Sequence, residues 1–337
     1  MTNRAATATV LICAYTMERL QQVHAAVASV RAQSHPVAQL LVVVDHNDEL
    51  AARLSCDLID SGSDPGVEVL TNTEQRGLSG ARNTGVAAAT GTIVAFLDDD
   101  AVASPTWLAE LMAVYAADPK VAGVGGAAYP EWVSPRPRWF PAEFDWVVGC
   151  SYAGLPLHQA PVRNFIGANM SYRASAMRLA GPFTHGLGRI GTVPLGCEET
   201  EFGIRLRRAD PRAVSIYAPA ASVLHRVGPE RTTMRYFRRR CYAEGLSKAV
   251  VARLAGSQAA LASERTYVRV VLLAGVVANL AGRRGPGGGA RALIILTGLA
   301  VTTAGYLRGR LAVRHGVSAV VGEDIASPER VAAVDAA

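Results

Sequence analysis

The stretch Thr92-Ile93-Val94-Ala95-Phe96-Leu97-Asp98-Asp99-Asp100 constrains the fold of this chain more than any other. Its first six residues are apolar or β-branched and lack helical spacing, which predicts a buried strand. The strand runs straight into three adjacent carboxylates. Ser104-Pro105 then reads as an N-cap and a first helical residue, so the pattern predicts a helix from Pro105 to about Ala117. Three like charges at a strand's C-terminal edge repel one another. Two readings stand: a solvated acidic turn, or a divalent-cation site, since carboxylates suit Mg²⁺ or Mn²⁺ and those ions also bind phosphate oxygens.

The segments on either side set the architecture. Thr9–Ala14, Gln39–Val44 and Val67–Leu70 read as buried strands, and Glu18–Arg31 as a helix with Leu20, Val23, Val27 and Val30 on one face. Gly77-Leu78-Ser79-Gly80-Ala81-Arg82-Asn83 opens a helix to about Ala89, which Gly91 stops. A short strand is expected at Val121–Val124. This alternation predicts an α/β chain with a mostly parallel, Rossmann-like sheet covered on both faces. Ligands of such sheets lie beyond the strand C-terminal ends, where Tyr15, Asp45 and Asp98–Asp100 all fall.

Further along, Tyr129–Gly167 is rich in Pro, Gly and Trp. Trp132, Trp139 and Trp146 read as a satellite core or as a platform for a sugar acceptor. Gly167–Arg173 is strand-like, Gly186–Gly196 is a glycine-punctuated loop, and Glu198-Glu199-Thr200-Glu201 starts a helix whose acids complement its dipole. Ala213–Tyr217 and Ser222–Leu224 read as short strands, the second ending at His225. Thr232 to about Val250 reads as a basic helix.

Charge and cysteine usage narrow the class. The net charge is only +6, yet Arg226, Arg231, Arg235, Arg238, Arg239 and Arg240 crowd one region. Such a cluster favours an anionic ligand, a phosphate-bearing lipid or a membrane surface. A nucleic-acid partner is not expected, because it would leave the acidic cluster without a use. The five cysteines are scattered, with no Cys-x-x-Cys pair, so neither disulfides nor a thiolate zinc site is expected. That usage, and an N-terminus without a signal-peptide pattern, predict a cytoplasmic protein.

Beyond residue 255, Val268–Ala281 and Ala292–Leu307 are apolar, and Arg283-Arg284-Gly285-Pro286-Gly287-Gly288-Gly289 separates them. Each falls short of the roughly 18 to 20 residues of a simple spanning helix. A packed helical hairpin, a shallow membrane-inserted pair and two short spans all remain open. The expected organisation is a domain over 1–250, an apolar helical hairpin over 251–321 that either packs on the domain or meets the membrane, and a disordered tail over 322–337.

The motifs in order resemble the family 2 glycosyltransferases of the GT-A fold, over roughly residues 8–245. The carriers are Ala14-Tyr15, Val44-Asp45, Gly80-Ala81-Arg82-Asn83-Thr84-Gly85, Phe96-Leu97-Asp98-Asp99-Asp100, Glu198-Glu199-x-Glu201 and His225. The resemblance implies an inverting enzyme that moves a sugar from a nucleotide-diphospho-sugar to an acceptor hydroxyl, with Mg²⁺ or Mn²⁺ as cofactor. Asp98 and Asp100 would be metal ligands, or ribose and metal contacts respectively. Asp99 would turn away to cap the following loop. His225 would be a third ligand or a diphosphate contact. Asp45 would accept from the N3–H of uracil, a proton cytosine lacks, which implies a UDP-sugar donor. Tyr15 would border the base, and Arg82 would face the diphosphate.

Inversion needs a base opposite the leaving group. The resemblance assigns it to Glu199, with Glu198 as runner-up. Here Glu-Glu replaces the family's commoner Glu-Asp, and His46 departs from the usual residue after the base-binding Asp. The basic helix and apolar C-terminal segments point to a glycan or lipid-linked acceptor at the inner face of the membrane. The rivals are a sugar-1-phosphate nucleotidyltransferase, which lacks its glycine-rich segment after the first strand here, and a non-catalytic nucleotide-sugar binder.

Overall fold

The computed structural model describes residues 6–59, 65–191 and 193–312. The tail expected over 322–337 lies outside these residues. The described chain gathers into two compact units. Within the described residues, the first takes in 6–59, 65–129, 156–185 and 202–226; the second takes in 130–155, 186–191, 193–201 and 227–312.

The first unit is built on a mixed sheet. Its strands are β1 (Ala8–Ala14), β2 (Gln39–Val44), β3 (Val67–Thr71), β4 (Ile93–Asp98), β5 (Ala101–Ala103), β6 (Val121–Trp132), β7 (Ala160–Pro161), β8 (Asn169–Arg173) and β9 (Val214–Val227). The order is β3-β2-β1-β4-β8-β6-β9-β5, with β7 on β9. β3, β2, β1 and β4 run parallel, and β8 then joins β4 antiparallel. β1, β2 and β4 are apolar at nearly every position because both faces are covered.

Helices α1 (Leu20–Arg31), α2 (Asp48–Ile59) and α4 (Trp107–Ala117) share one buried core with Val10, Ile12, Val42 and Leu97. Leu11, Val43 and Phe96 point to the opposite face. There they pack with Ala81 of α3 (Leu78–Ala88), Met177 of α5 (Ala174–Ala180) and Phe202 of α6 (Glu198–Ala209).

Several boundaries differ from the sequence reading. The helix expected from Pro105 begins at Trp107, because the Trp107 N–H closes a turn on the Ser104 carbonyl at 2.9 Å. The two short strands after residue 213 form the single strand β9, which continues through Pro219. The strand expected at Val121–Val124 extends to Trp132.

In the second unit, α7 (Met234–Ala255) leads through the short helices α8 (Ser257–Ala260) and α9 (Ala262–Thr266) into a π-helical stretch, Tyr267–Leu272. Then follow α10 (Leu273–Leu280) and the long α11 (Gly288–Ala312). The core contains Phe140, Phe144, Phe237, Leu272 and Ile295, with Trp132, Trp139 and Trp146 packed on it. The tryptophans therefore form the satellite core, and Trp139 meets Phe237 edge-on at 5.9 Å. α11 lies very close to α7. A Cβ on Gly305 would come 2.2 Å from the Tyr242 carbonyl oxygen, and one on Gly245 would come 2.1 Å from that of Thr302.

Candidate active site

β4 delivers the acidic triplet. Asp98 lies opposite Cys13, next to the end of β1, so the carboxylates emerge where β1 and β2 also stop. The chain turns through Asp99 and Asp100 into β5, whose Ala101 pairs with His225 of β9. The Arg226 N–H donates to the Asp100 carbonyl at 2.8 Å and fixes that register. Strand pairing thus brings His225 to the triplet across more than a hundred residues of sequence.

Asp98, Asp100 and His225 offer ligand atoms that all lie within 4.8 Å of one another. His225 Nε2 is 3.1 Å from Asp100 Oδ1 and 3.9 Å from Asp98 Oδ2. An octahedral ion about 2.1 Å from each ligand needs ligand atoms roughly 3 to 4 Å apart. Two carboxylates and an imidazole are a donor set that suits a divalent ion such as Mg²⁺ or Mn²⁺, and both distances from His225 fall in that range. The Asp98 side chain is 31% exposed, whereas those of Asp100 and His225 are almost fully buried. The cluster opens outward on the Asp98 side.

Asp99 does turn away, but into an ion pair and not into a loop cap. Its Oδ1 lies 2.6 Å from Arg19 Nη1, which also reaches Asp100 Oδ2 at 3.1 Å. Burial pushes the Asp99 carboxyl up to about 6 against the pull of Arg19. The Arg19 guanidinium also covers the Tyr15 ring at 5.5 Å. No sequence motif marks Arg19; it ends the single helical turn Met17–Arg19, which carries no pattern of its own.

Arg82 is 2% exposed. It lies over the rings of both Phe96 and Phe183, donates to the Gly167 carbonyl at 3.1 Å, and comes within 3.8 Å of Asp98 Oδ1. Its charge stands behind Asp98 inside the core.

Asp45 organises the neighbouring loop. Its Oδ1 accepts from Asn72 Nδ2 at 2.7 Å and lies 2.9 Å from His46 Nδ1, while Oδ2 accepts from the Gly77 N–H at 2.9 Å. His46 takes a positive φ of 50°, and Gly77 precedes α3 at φ 126°. Asn47 ties this loop to the Tyr15 carbonyl at 3.1 Å. Tyr15, Asp45, Arg82, Asp98, Asp100 and His225 thus all belong to the first unit.

Glu198 and Glu199 open α6 within the second unit. Glu198 is 4% exposed, and a Cβ on Gly188 would lie 3.1 Å from its carboxylate. Glu199 is half-buried, and Thr200 Oγ1 donates to its Oε1 at 3.4 Å. In the basic segment, Arg231 is buried and Arg240 pairs with Glu244 at 2.7 Å.

Comparison with known proteins follows this geometry. The sequence profile of the family described as Glycosyl transferase family 2 matches residues 9–179. The chain is 35% identical over 242 residues to the glucosyl-dolichyl phosphate glucuronosyltransferase of Haloferax volcanii, covering 72% of this chain and 76% of that protein. It is 31% identical over 187 residues to the pre-mycofactocin glycosyltransferase of Mycobacterium tuberculosis, covering 55% of this chain but 37% of that protein. Among solved structures, the mannosyltransferase PcManGT from Pyrobaculum calidifontis, determined with GDP-Man and Mn²⁺, superposes with a TM-score of 0.58. That match has 16% identity and covers 90% of this chain and 88% of the other, so it speaks to the fold.

Proposed function

The chain belongs to glycosyl transferase family 2, and on that premise we propose that it is a metal-dependent, inverting enzyme that moves a sugar from UDP to a hydroxyl of a polyprenyl-phosphate-linked glycan. The observation that carries this reading is the Asp98, Asp100 and His225 cluster at the strand ends beside Asp45. A divalent ion held there would offset the charge that the nucleoside diphosphate gains as it leaves. Asp98, the most exposed of the three, faces the donor. Arg82 acts on the diphosphate through Asp98, which it holds from behind. Asp45 Oδ2 has one acceptor direction left beyond Gly77, enough for uracil N3–H. Tyr15 borders the base, with Arg19 fixing its ring.

Glu199 takes the proton of the acceptor hydroxyl as that oxygen attacks the anomeric carbon. The bond from this carbon to the diphosphate oxygen breaks as the new glycosidic bond forms. Glu199 is preferred because Glu198 is the more deeply buried of the pair. The named activity of the Haloferax relative supports a lipid-linked acceptor and makes a UDP-hexuronate the first donor to try.

In this reading residues 1–250 form the transfer domain and the helices that follow lie in the inner leaflet surface. Val270, Leu273, Val277 and Leu280 expose 56–67% of their surface, and Leu293, Leu296, Leu307 and Leu311 expose 50–64%. Such stripes suit a shallow lipid interface, with Arg269 and Arg283 at headgroup level. α11 is long and apolar enough to cross a membrane by length and composition, yet its close packing on α7 favours the in-plane arrangement.

The test is nucleotide release from UDP-, GDP- and dTDP-sugars with Mn²⁺ or Mg²⁺ and a polyprenyl-phosphate-linked glucose acceptor. Metal-dependent release of UDP is expected. Absence of turnover with every donor would defeat the proposal.

A further inference from the structure

We propose that Arg240, Glu244, Ser247 and Lys248 on α7, acting through Gly196 and Cys197, are positioning residues that set the carboxylate of Glu199. This rests on Glu199 being the base. Cys197 holds a left-handed φ of 70° immediately before the acidic pair, although it carries a side chain. That conformation is unfavourable for a residue with a Cβ and persists only where its surroundings impose it. The Cys197 carbonyl accepts the first bond of α6, from Glu201 N at 2.9 Å. Its backbone therefore sets the direction in which the helix starts.

The second unit supplies a restraint on each side of that turn. Cys197 Sγ donates to Glu244 Oε1 at 3.1 Å. The Gly196 N–H donates to Ser247 Oγ at 3.2 Å, and the Ser247 hydroxyl is itself oriented by donating to the Ala243 carbonyl at 3.0 Å. Glu244 is gripped by Arg240 at 2.7 Å and Lys248 at 3.1 Å, and Lys248 is gripped again by Glu264 at 2.7 Å. A Cβ on Gly196 would lie 2.8 Å from Arg240 Nη2, so the backbone rests directly on this ion pair. Burial and the Glu244 carboxylate push the Cys197 thiol well up, which keeps it a protonated donor.

Arg240, Glu244 and Lys248 recur every four residues on one face of α7, the spacing that lets neighbours grip one another. A buried ion network of this kind is a poor route to stability, since apolar side chains of like volume stabilise as well or better. Its directed bonds do fix a backbone. With about 3.8 Å between successive Cα atoms, a 20° rotation at Cys197 would move the Glu199 carboxylate by about 2 Å. A 1 Å error in a reacting geometry costs on the order of 100-fold in rate.

The test compares Cys197→Ala, Cys197→Ser and Ser247→Ala in the full chain, by transfer kinetics, UDP-sugar binding and amide exchange across residues 196–201. Cys197→Ala and Ser247→Ala should each lower kcat at least about 10-fold, with donor affinity within about twofold. Exchange at Glu199–Glu201 should speed up by a similar factor. Cys197→Ser keeps a donor to Glu244 and should recover both readouts to within about threefold. Unchanged exchange in both alanine variants overturns the inference, as does faster exchange with undiminished kcat. Exchange is read without turnover, so an inactive wild-type chain counts against the transferase proposal while the exchange result still decides this one.

Discussion

Replacing Asp45 by Asn tests the donor side at its most constrained point. The carboxylate accepts on both oxygens, from Asn72 Nδ2 on Oδ1 and from Gly77 N–H on Oδ2. An amide of the same shape accepts on one side only. Asn72 cannot turn over to compensate, because its own Oδ1 already accepts from Glu74 N and Thr84 Oγ1, each at 2.9 Å. Either orientation of the introduced amide therefore sets a donor against a donor in a site that is 7% exposed. A stranded buried donor costs about 1–3 kcal/mol, and losing the charge on the acceptor adds to this, for a total of about 3 kcal/mol. In a unit of this size each kcal/mol lowers the melting temperature by about 2–4 °C, so thermal unfolding followed by circular dichroism should begin about 6–12 °C lower. Titration calorimetry should show UDP binding weakened about 10- to 100-fold, with the preference over CDP narrowed by the same factor. A melting temperature within about 2 °C of wild type together with unchanged UDP affinity would refute both the structural and the donor role of Asp45.

Three further outcomes follow from the second unit. Gly305→Ala places a methyl group against the Tyr242 carbonyl and should destabilise the α7–α11 packing by about 1–3 kcal/mol, read as a lower urea midpoint and faster proteolysis within α11. Burial would raise the Glu244 carboxyl, but Lys248 and Arg240 overcome it and hold the group well below its ordinary value. The unfolded chain therefore binds the extra proton first, so this stabilisation is complete above the unfolded value of 4.5 and declines as pH falls further. Urea unfolding between about pH 3 and 6 should show that slope in wild type and a flatter one in Glu244→Gln. Leu273→Glu with Val277→Glu charges the exposed stripe of α10 and should abolish co-sedimentation with vesicles of anionic phospholipid while leaving the fold intact by circular dichroism. Equal sedimentation of variant and wild type would count against the interfacial placement.

The Asp98–Asp100 half of the candidate site was legible because its signals are local. A buried apolar run ending in Asp98–Asp100 is visible without any partner, and β1 and β2 announce themselves in the same way. His225 was reachable only through the order of motifs, since its place depends on the pairing of β5 with β9, and β5 is three residues long. Arg19 was not legible at all, because nothing near it in sequence distinguishes it from other surface arginines. α2 went unread although it carries the ordinary signals, an Asn47 N-cap whose Oδ1 accepts from Leu50 N at 3.0 Å and Leu50, Leu54 and Leu58 buried on one face. For Arg82 the motif implies a cation near a helix start that faces the diphosphate. Its burial against Phe96 and Phe183 follows from tertiary packing, to which that local pattern gives no clue.

Asp98, Asp100 and His225 are proposed to hold a divalent ion beside a UDP-sugar. Electron paramagnetic resonance of Mn²⁺ titrated into the protein with UDP measures it most directly. One site per chain is expected, tightening when UDP is present and lost in Asp98→Asn with Asp100→Asn. Mn²⁺ binding that is unchanged in the double variant, or absent from the wild-type chain with UDP, would contradict it.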